Sequence, residues 1–177
     1  MDIRSTWYIN NGMLISKKET EKALQEFVKS IVDESKENLN TKGINASGDL
    51  NKSIKGNVNV GDNSIEVTIE GENYLKFIDR GVKGVKGGRS LSGYAYTNKK
   101  PPVRFLQTWL KQKSGKFRQK NQRSIAFAIQ NKIYNYGIKP TQFFTTPFEK
   151  AFERLPEDLV KAYALDVESF IEFTLKK

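Results

Sequence analysis

The chain has 177 residues, neither cysteine nor histidine, and a formal net charge of +10 from 30 basic and 20 acidic side chains. The two absences exclude disulfides, thiolate nucleophiles, zinc held by cysteine or histidine, imidazole bases and the Ser-His-Asp triad. No stretch approaches the ~18 apolar residues of a membrane span, and Met1-Asp2-Ile3-Arg4-Ser5-Thr6-Trp7 lacks the apolar segment of an export signal, so a globular chain of the cytoplasm, away from membranes, is expected.

Ser16-Lys17-Lys18-Glu19 has the S-x-x-E form of a capping box. Ala23, Leu24, Phe27, Val28, Ile31, Val32 and Leu39 follow at spacings of three and four, predicting one long helix over 17–39 that ends at Lys42-Gly43. Leu50 and Ile54 stand one helical turn apart after the turn-rich 45–49. Val58, Val60, Ile65, Val67 and Ile69 alternate about Gly61-Asp62-Asn63, which predicts a β-hairpin with one buried face. Tyr74 to Gly81 is a compact amphipathic segment, a short helix or strand leading into a turn.

From Val82 to Lys100 glycine, lysine and small polar residues predominate, and the stretch reads as an insertion loop with an extended alternation at Tyr94 and Tyr96. Pro101-Pro102 suits the start of a helix with Phe105, Leu106, Trp109 and Leu110 on one side, where Phe105 and Trp109 are assigned to core packing. A further helix carries Ile125, Ile129 and Ile133 and stops at Gly137. Thr146-Pro147-Phe148-Glu149 repeats the capping-box pattern, and Leu155-Pro156 is expected to divide the terminal helix in two.

Charge is distributed unevenly along this order. Arg80 to Phe148 holds fifteen lysines and arginines and no carboxylate, whereas the other 108 residues hold 15 basic and 20 acidic side chains. Such segregation speaks to partners rather than to fold, and it points to nucleic-acid backbone or to the acidic surface of a neighbouring subunit. Lysines outnumber arginines 23 to 7, which favours phosphate contact by mobile point charges over bidentate base reading. Lys83, Lys86, Arg89, Lys99, Lys100, Arg104, Lys111, Lys113, Lys116, Arg118, Lys120 and Arg123 are the candidates for contact with DNA or an acidic neighbour.

Catalytic patterns are not met. Gly84-Val85-Lys86-Gly87-Gly88-Arg89-Ser90 resembles a phosphate-binding loop only in part, since Lys83 stands where the first glycine belongs and Arg89 where the lysine belongs. Glu66, Glu70 and Asp79 could in principle hold magnesium for phosphodiester cleavage, but alternating carboxylates on a hairpin are usually its wet face. No enzyme activity and no cofactor are expected.

Four segments in order carry a likeness to a known family. They are Ser47-Gly48-Asp49-Leu50-Asn51-Lys52-Ser53-Ile54; the β-hairpin that follows it; then Tyr74, Phe77, Ile78, Asp79 and Gly81; and fourth Phe143 to Phe148, with Ala151 a turn later, before the terminal helix. This arrangement resembles the tail-completion, or head–tail joining, proteins of long-tailed bacteriophages. In that family an N-terminal helix precedes the first motif and a β-hairpin follows it. Here residues 82–139, most of the basic block, stand where the family has a short connection.

The resemblance implies a single α+β domain with a core over 13–81 and 140–177. The long N-terminal helix and the C-terminal helices would pack on a small antiparallel sheet, and the basic insertion would cover 82–139. It implies that Leu50, Ile54, Tyr74, Phe77, Ile78, Gly81, Phe143, Phe144 and Phe148 build a shared structural motif. It further implies a homo-oligomeric ring in the virion neck, between portal or connector proteins and the tail, around the channel for packaged DNA. The residues alone leave open a second reading, a non-specific nucleic-acid-binding protein that works through 80–148.

Overall fold

A computed structural model gives the structure of residues 17–44, 48–61, 65–112 and 121–175. The fold is α+β. Its described elements, in chain order, are α1 (Lys18–Thr41), α2 (Asp49–Ser53), β1 (Lys55–Val60), β2 (Ile65–Glu70), α3 (Leu75–Arg80), α4 (Val103–Gln112), α5 (Gln122–Tyr136) and α6 (Thr145–Leu175). Packing divides the chain into two compact units. One comprises Met1–Glu37, Ser53–Gly71 and Thr146–Lys177; the other comprises Asn38–Lys52 and Glu72–Thr145.

The first unit is built from α1, the hairpin and α6. Spacings of three and four place Leu24, Val28 and Ile31 on one buried stripe of α1. The hairpin pairs Val58 with Val67 and Val60 with Ile65, so the period of two sends Ile65 and Val67 to the same covered face. Leu24, Val28, Ile65 and Val67 form the core cluster, with Phe27, Val32, Val58, Ile69, Leu155 and Leu159 around it. Val60, expected on the buried face, is instead 41% exposed, although its register partner Ile65 is buried.

Close approach of strand to helix depends on Gly56. A Cβ at that position would overlap the Val28 side chain and crowd Val32. Gly56→Ala is therefore expected to destabilise the chain by about 1–3 kcal/mol, the cost of forcing a carbon against the Val28 side chain where strand and helix touch. Urea denaturation followed by circular dichroism measures it.

The first turn of α1 is satisfied from a distance. Asp166 of α6, 2% exposed, accepts hydrogen bonds from the backbone amides of Glu19 (3.0 Å) and Thr20 (2.9 Å) and from the Thr20 hydroxyl (2.7 Å). A carboxylate there meets both the free amides and the positive end of the helix dipole. Ser16 of the expected capping box lies outside the described residues.

Two expectations about α6 are corrected. It starts at Thr145, one residue before the anticipated cap, and it runs through Pro156 as one 31-residue helix. Proline deletes one amide donor, but Leu155 and Leu159 on either side of it both pack on the core cluster and hold the helix across the gap.

The second unit contains the last turn of α1, then α2, α3, α4, α5 and the segments joining them. Its buried apolar side chains include Leu39, Leu50, Leu75, Val82, Leu110, Ala126 and Phe143. Asn121 caps α5 through its side chain, which accepts from the Ser124 amide, and Gly137 ends the helix with φ +78°. No helix among the described residues is long and apolar enough to cross a membrane.

Candidate functional site

The 74–81 and 138–145 segments form a single joint within the second unit. Thr141 donates its amide to the Ile78 and Asp79 carbonyls, and the Gln142 amide also donates to Asp79. The carboxylate of Asp79, 2% exposed, accepts from the amides of Phe144 (2.8 Å) and Thr145 (3.1 Å) and from the Thr145 hydroxyl. Asp79 thus caps the start of α6 just as Asp166 caps the start of α1. Both of its oxygens are engaged with protein donors, so this carboxylate is a structural clamp rather than a metal ligand. Glu66 and Glu70 lie on β2 of the other unit.

A backbone bridge lies just beyond the joint. Val82 and Ile138 exchange backbone hydrogen bonds of 2.9 and 2.8 Å. The chain therefore leaves for the 82–139 excursion and returns from it at one place. Gly81 (φ +76°) and Gly137 (φ +78°) flank the bridge, where a Cβ would run into the backbone of the opposite strand.

The glycine-rich stretch is held by its own protein. Val85 and Lys86 donate to the carbonyls of Tyr134 and Asn135, Gly84 and Gly87 bond to each other, and Lys83 and Tyr96 pair through their backbones with Tyr94 and Lys83 respectively. The amides of Gly84, Val85, Lys86 and Gly87 are committed to protein carbonyls and are not free to cradle a phosphate. Rather than a loose loop, 82–97 is fastened by backbone bonds along its length.

Side chains finish the construction. Lys76 stands 5.2 Å from the ring centroids of both Phe77 and Tyr94, which meet edge to face at 5.0 Å, and its ammonium donates to the Tyr94 hydroxyl. Lys100 lies 5.4 Å from the Tyr134 ring and donates to Asn131, while the Tyr134 hydroxyl donates to the Thr97 carbonyl. Burial pushes the Tyr96 phenol above its ordinary pKa; burial, then Glu72 and Asp49, raise that of Tyr74. Both rings stay uncharged at neutral pH and leave the positive field undiluted.

Lys83, Lys86, Arg89, Lys99, Lys100, Arg104, Lys111 and Arg123 are all exposed. Lys113, Lys116, Arg118 and Lys120 lie outside the described residues. Of the structural motif, Leu50, Ile54 and Phe143 are fully buried and Gly81 is buried at the joint. Phe77, Ile78, Phe144 and Phe148 are half-buried, and Phe148 packs against Phe27 and Phe152 in the first unit. Tyr74 stands at the surface. It is 41% exposed at the N-cap of α3, where its carbonyl accepts from Phe77 and Ile78.

Phe105 is corrected. The covered side of α4 runs through Leu106 and Leu110, and Phe105, one residue off that stripe, is 60% exposed. The Arg104 guanidinium lies over its ring at 4.9 Å, and Arg123 lies over Phe127 at 6.0 Å. Helical periodicity alone missed these pairs; adjacency of arginine and phenylalanine, or their spacing of four, would have marked them. Comparisons with protein-family models, with curated proteins and with solved structures return no match for this chain.

Proposed function

We propose that the protein is a structural subunit of a bacteriophage neck, a ring that joins the portal or connector to the tail around the path of the genome. The observation that supports this reading best is the joint itself. The two sequence segments that resemble the family's third and fourth motifs meet at Asp79, and the extra residues branch off at the adjoining Val82–Ile138 bridge. An insertion added to a shared scaffold would have this layout. Its work is adaptation: one surface docks on the connector, the other presents a platform for the tail.

The charge layout supports the same reading. Counted by unit, the first has 12 basic and 17 acidic residues and the second 18 basic and 3 acidic, giving −5 and +15. Opposite charge on two units of one chain favours head-to-tail contact between copies, the geometry that closes rings.

Negative-stain microscopy and sedimentation of the purified protein, alone and with connector and tail-tube proteins, provide the test. A closed oligomer that attaches to both partners is expected. A monomer indifferent to both would overturn the reading.

A further inference from the structure

The second unit carries more positive charge than another copy can absorb. A neighbour presenting its entire first unit would supply −5 against +15. The excess of ten calls for a polyanion other than this chain, and a phosphate backbone is the polyanion that lysine-rich surfaces fit.

The surface is not charged alone. Phe105 and Phe127 are 60% and 43% exposed, each beneath an arginine. The helices that carry them, α4 and α5, are tied together close by. The Gln130 amide donates to the Pro101 carbonyl at 2.7 Å, and Lys100 donates to Asn131 at 2.8 Å. The start of α4 is therefore level with the later part of α5. One turn onward along α4 reaches Arg104-Phe105, and one turn back along α5 reaches Phe127. Each ring thus lies within about a turn of the place where α4 and α5 are bonded together.

A phenylalanine at the surface can neither bond a phosphate nor read a base edge. It gains by meeting another flat apolar face. Duplex DNA hides its base faces in the stack, whereas a single strand offers them alongside phosphates that guanidinium and ammonium groups can hold.

We propose that the α4–α5 pair is a sequence-tolerant binding site for single-stranded nucleic acid. Phe105 and Phe127 stack on bases while Arg104, Arg123 and Lys100 hold the flanking phosphates. This goes beyond the neck reading and does not depend on it, since a solitary subunit has the whole site.

Fluorescence anisotropy of a labelled oligothymidylate and of a duplex of equal length, titrated with the full chain, tests the proposal. The protein binds oligothymidylate more tightly than duplex. Replacing both phenylalanines (Phe105→Ala with Phe127→Ala) weakens oligothymidylate binding about tenfold or more and changes duplex binding by less than about twofold. Phe105→Trp in the Phe127→Ala background recovers affinity, which repair of a packing defect would not produce at an exposed position. Arg104→Gln with Arg123→Gln weakens both probes and reduces the salt slope for the single strand by about 0.7 for each phosphate no longer neutralised.

Equal binding of both probes by wild type and the double phenylalanine variant would overturn the proposal. So would a variant that sediments differently while retaining its affinity for DNA, which would make this face a contact between copies.

Discussion

Asp79→Ala should destabilise the chain by about 3 kcal/mol, whereas Asp79→Asn should cost about 1 kcal/mol. The carboxylate is buried and serves three donors: the amides of Phe144 and Thr145 and the Thr145 hydroxyl. Alanine leaves all three without an acceptor in a place that water reaches poorly. Asparagine keeps an acceptor for the amides and loses mainly the charge that faces the helix start. For a chain of this length the alanine variant should melt roughly 6–12 °C lower. Calorimetry measures the total, and hydrogen exchange at the Phe144 and Thr145 amides locates it. Unchanged protection at those amides would show that the carboxylate does not cap the helix.

Gly137→Ala should cost more than about 3 kcal/mol, the scale of a broken backbone network. Gly137 sits at φ +78° and ψ −166°, a region open to glycine and closed to other residues. An added Cβ would overlap the Val82 carbonyl oxygen and press on the Gly84 amide, both main-chain atoms that cannot swing aside. The Val82–Ile138 bridge would open, and the stretch it closes would become sensitive to protease. Gly93→Ala is the matched control, since nothing lies within 4 Å of its added carbon and its φ is not positive. That variant should stay within about 0.5 kcal/mol of wild type. Limited proteolysis with urea titration compares the two.

Periodicity in the sequence carried the regular elements. The stripe through Leu24, Val28 and Ile31, the alternation through Val58, Ile65 and Val67, and the run from Ile125 to Ile133 each appear as a helix or strand in the expected place. These signals are local, so sequence spacing is enough to read them. The caps were not local. Asp166 lies 146 residues from Thr20, and Asp79 lies 65 residues from Phe144, so a search for capping boxes beside each helix does not find them. Pro156 misled for a related reason, because the packing of Leu155 and Leu159 outweighs one missing amide.

The site was legible in its charge and not in its chemistry. Exposure of eight named lysines and arginines follows from the cost of burying charge, which sequence can anticipate. Phe105 did not follow. Beside Leu106, Trp109 and Leu110 it looks like core, and only the rotation of α4 about its own axis decides which neighbour turns inward. Its pairing with Arg104 is visible once that rotation is known.

The meeting of Val82 with Ile138 makes the residues between them a cassette. Because both ends are already fixed side by side, lengthening or shortening the interval adds little closure entropy and leaves α3 and the start of α6 where they are. Leu110 and Ala126 are buried within it and Val85 and Lys86 are bonded to Tyr134 and Asn135, so room for changes of length lies in the exposed stretches between these anchors.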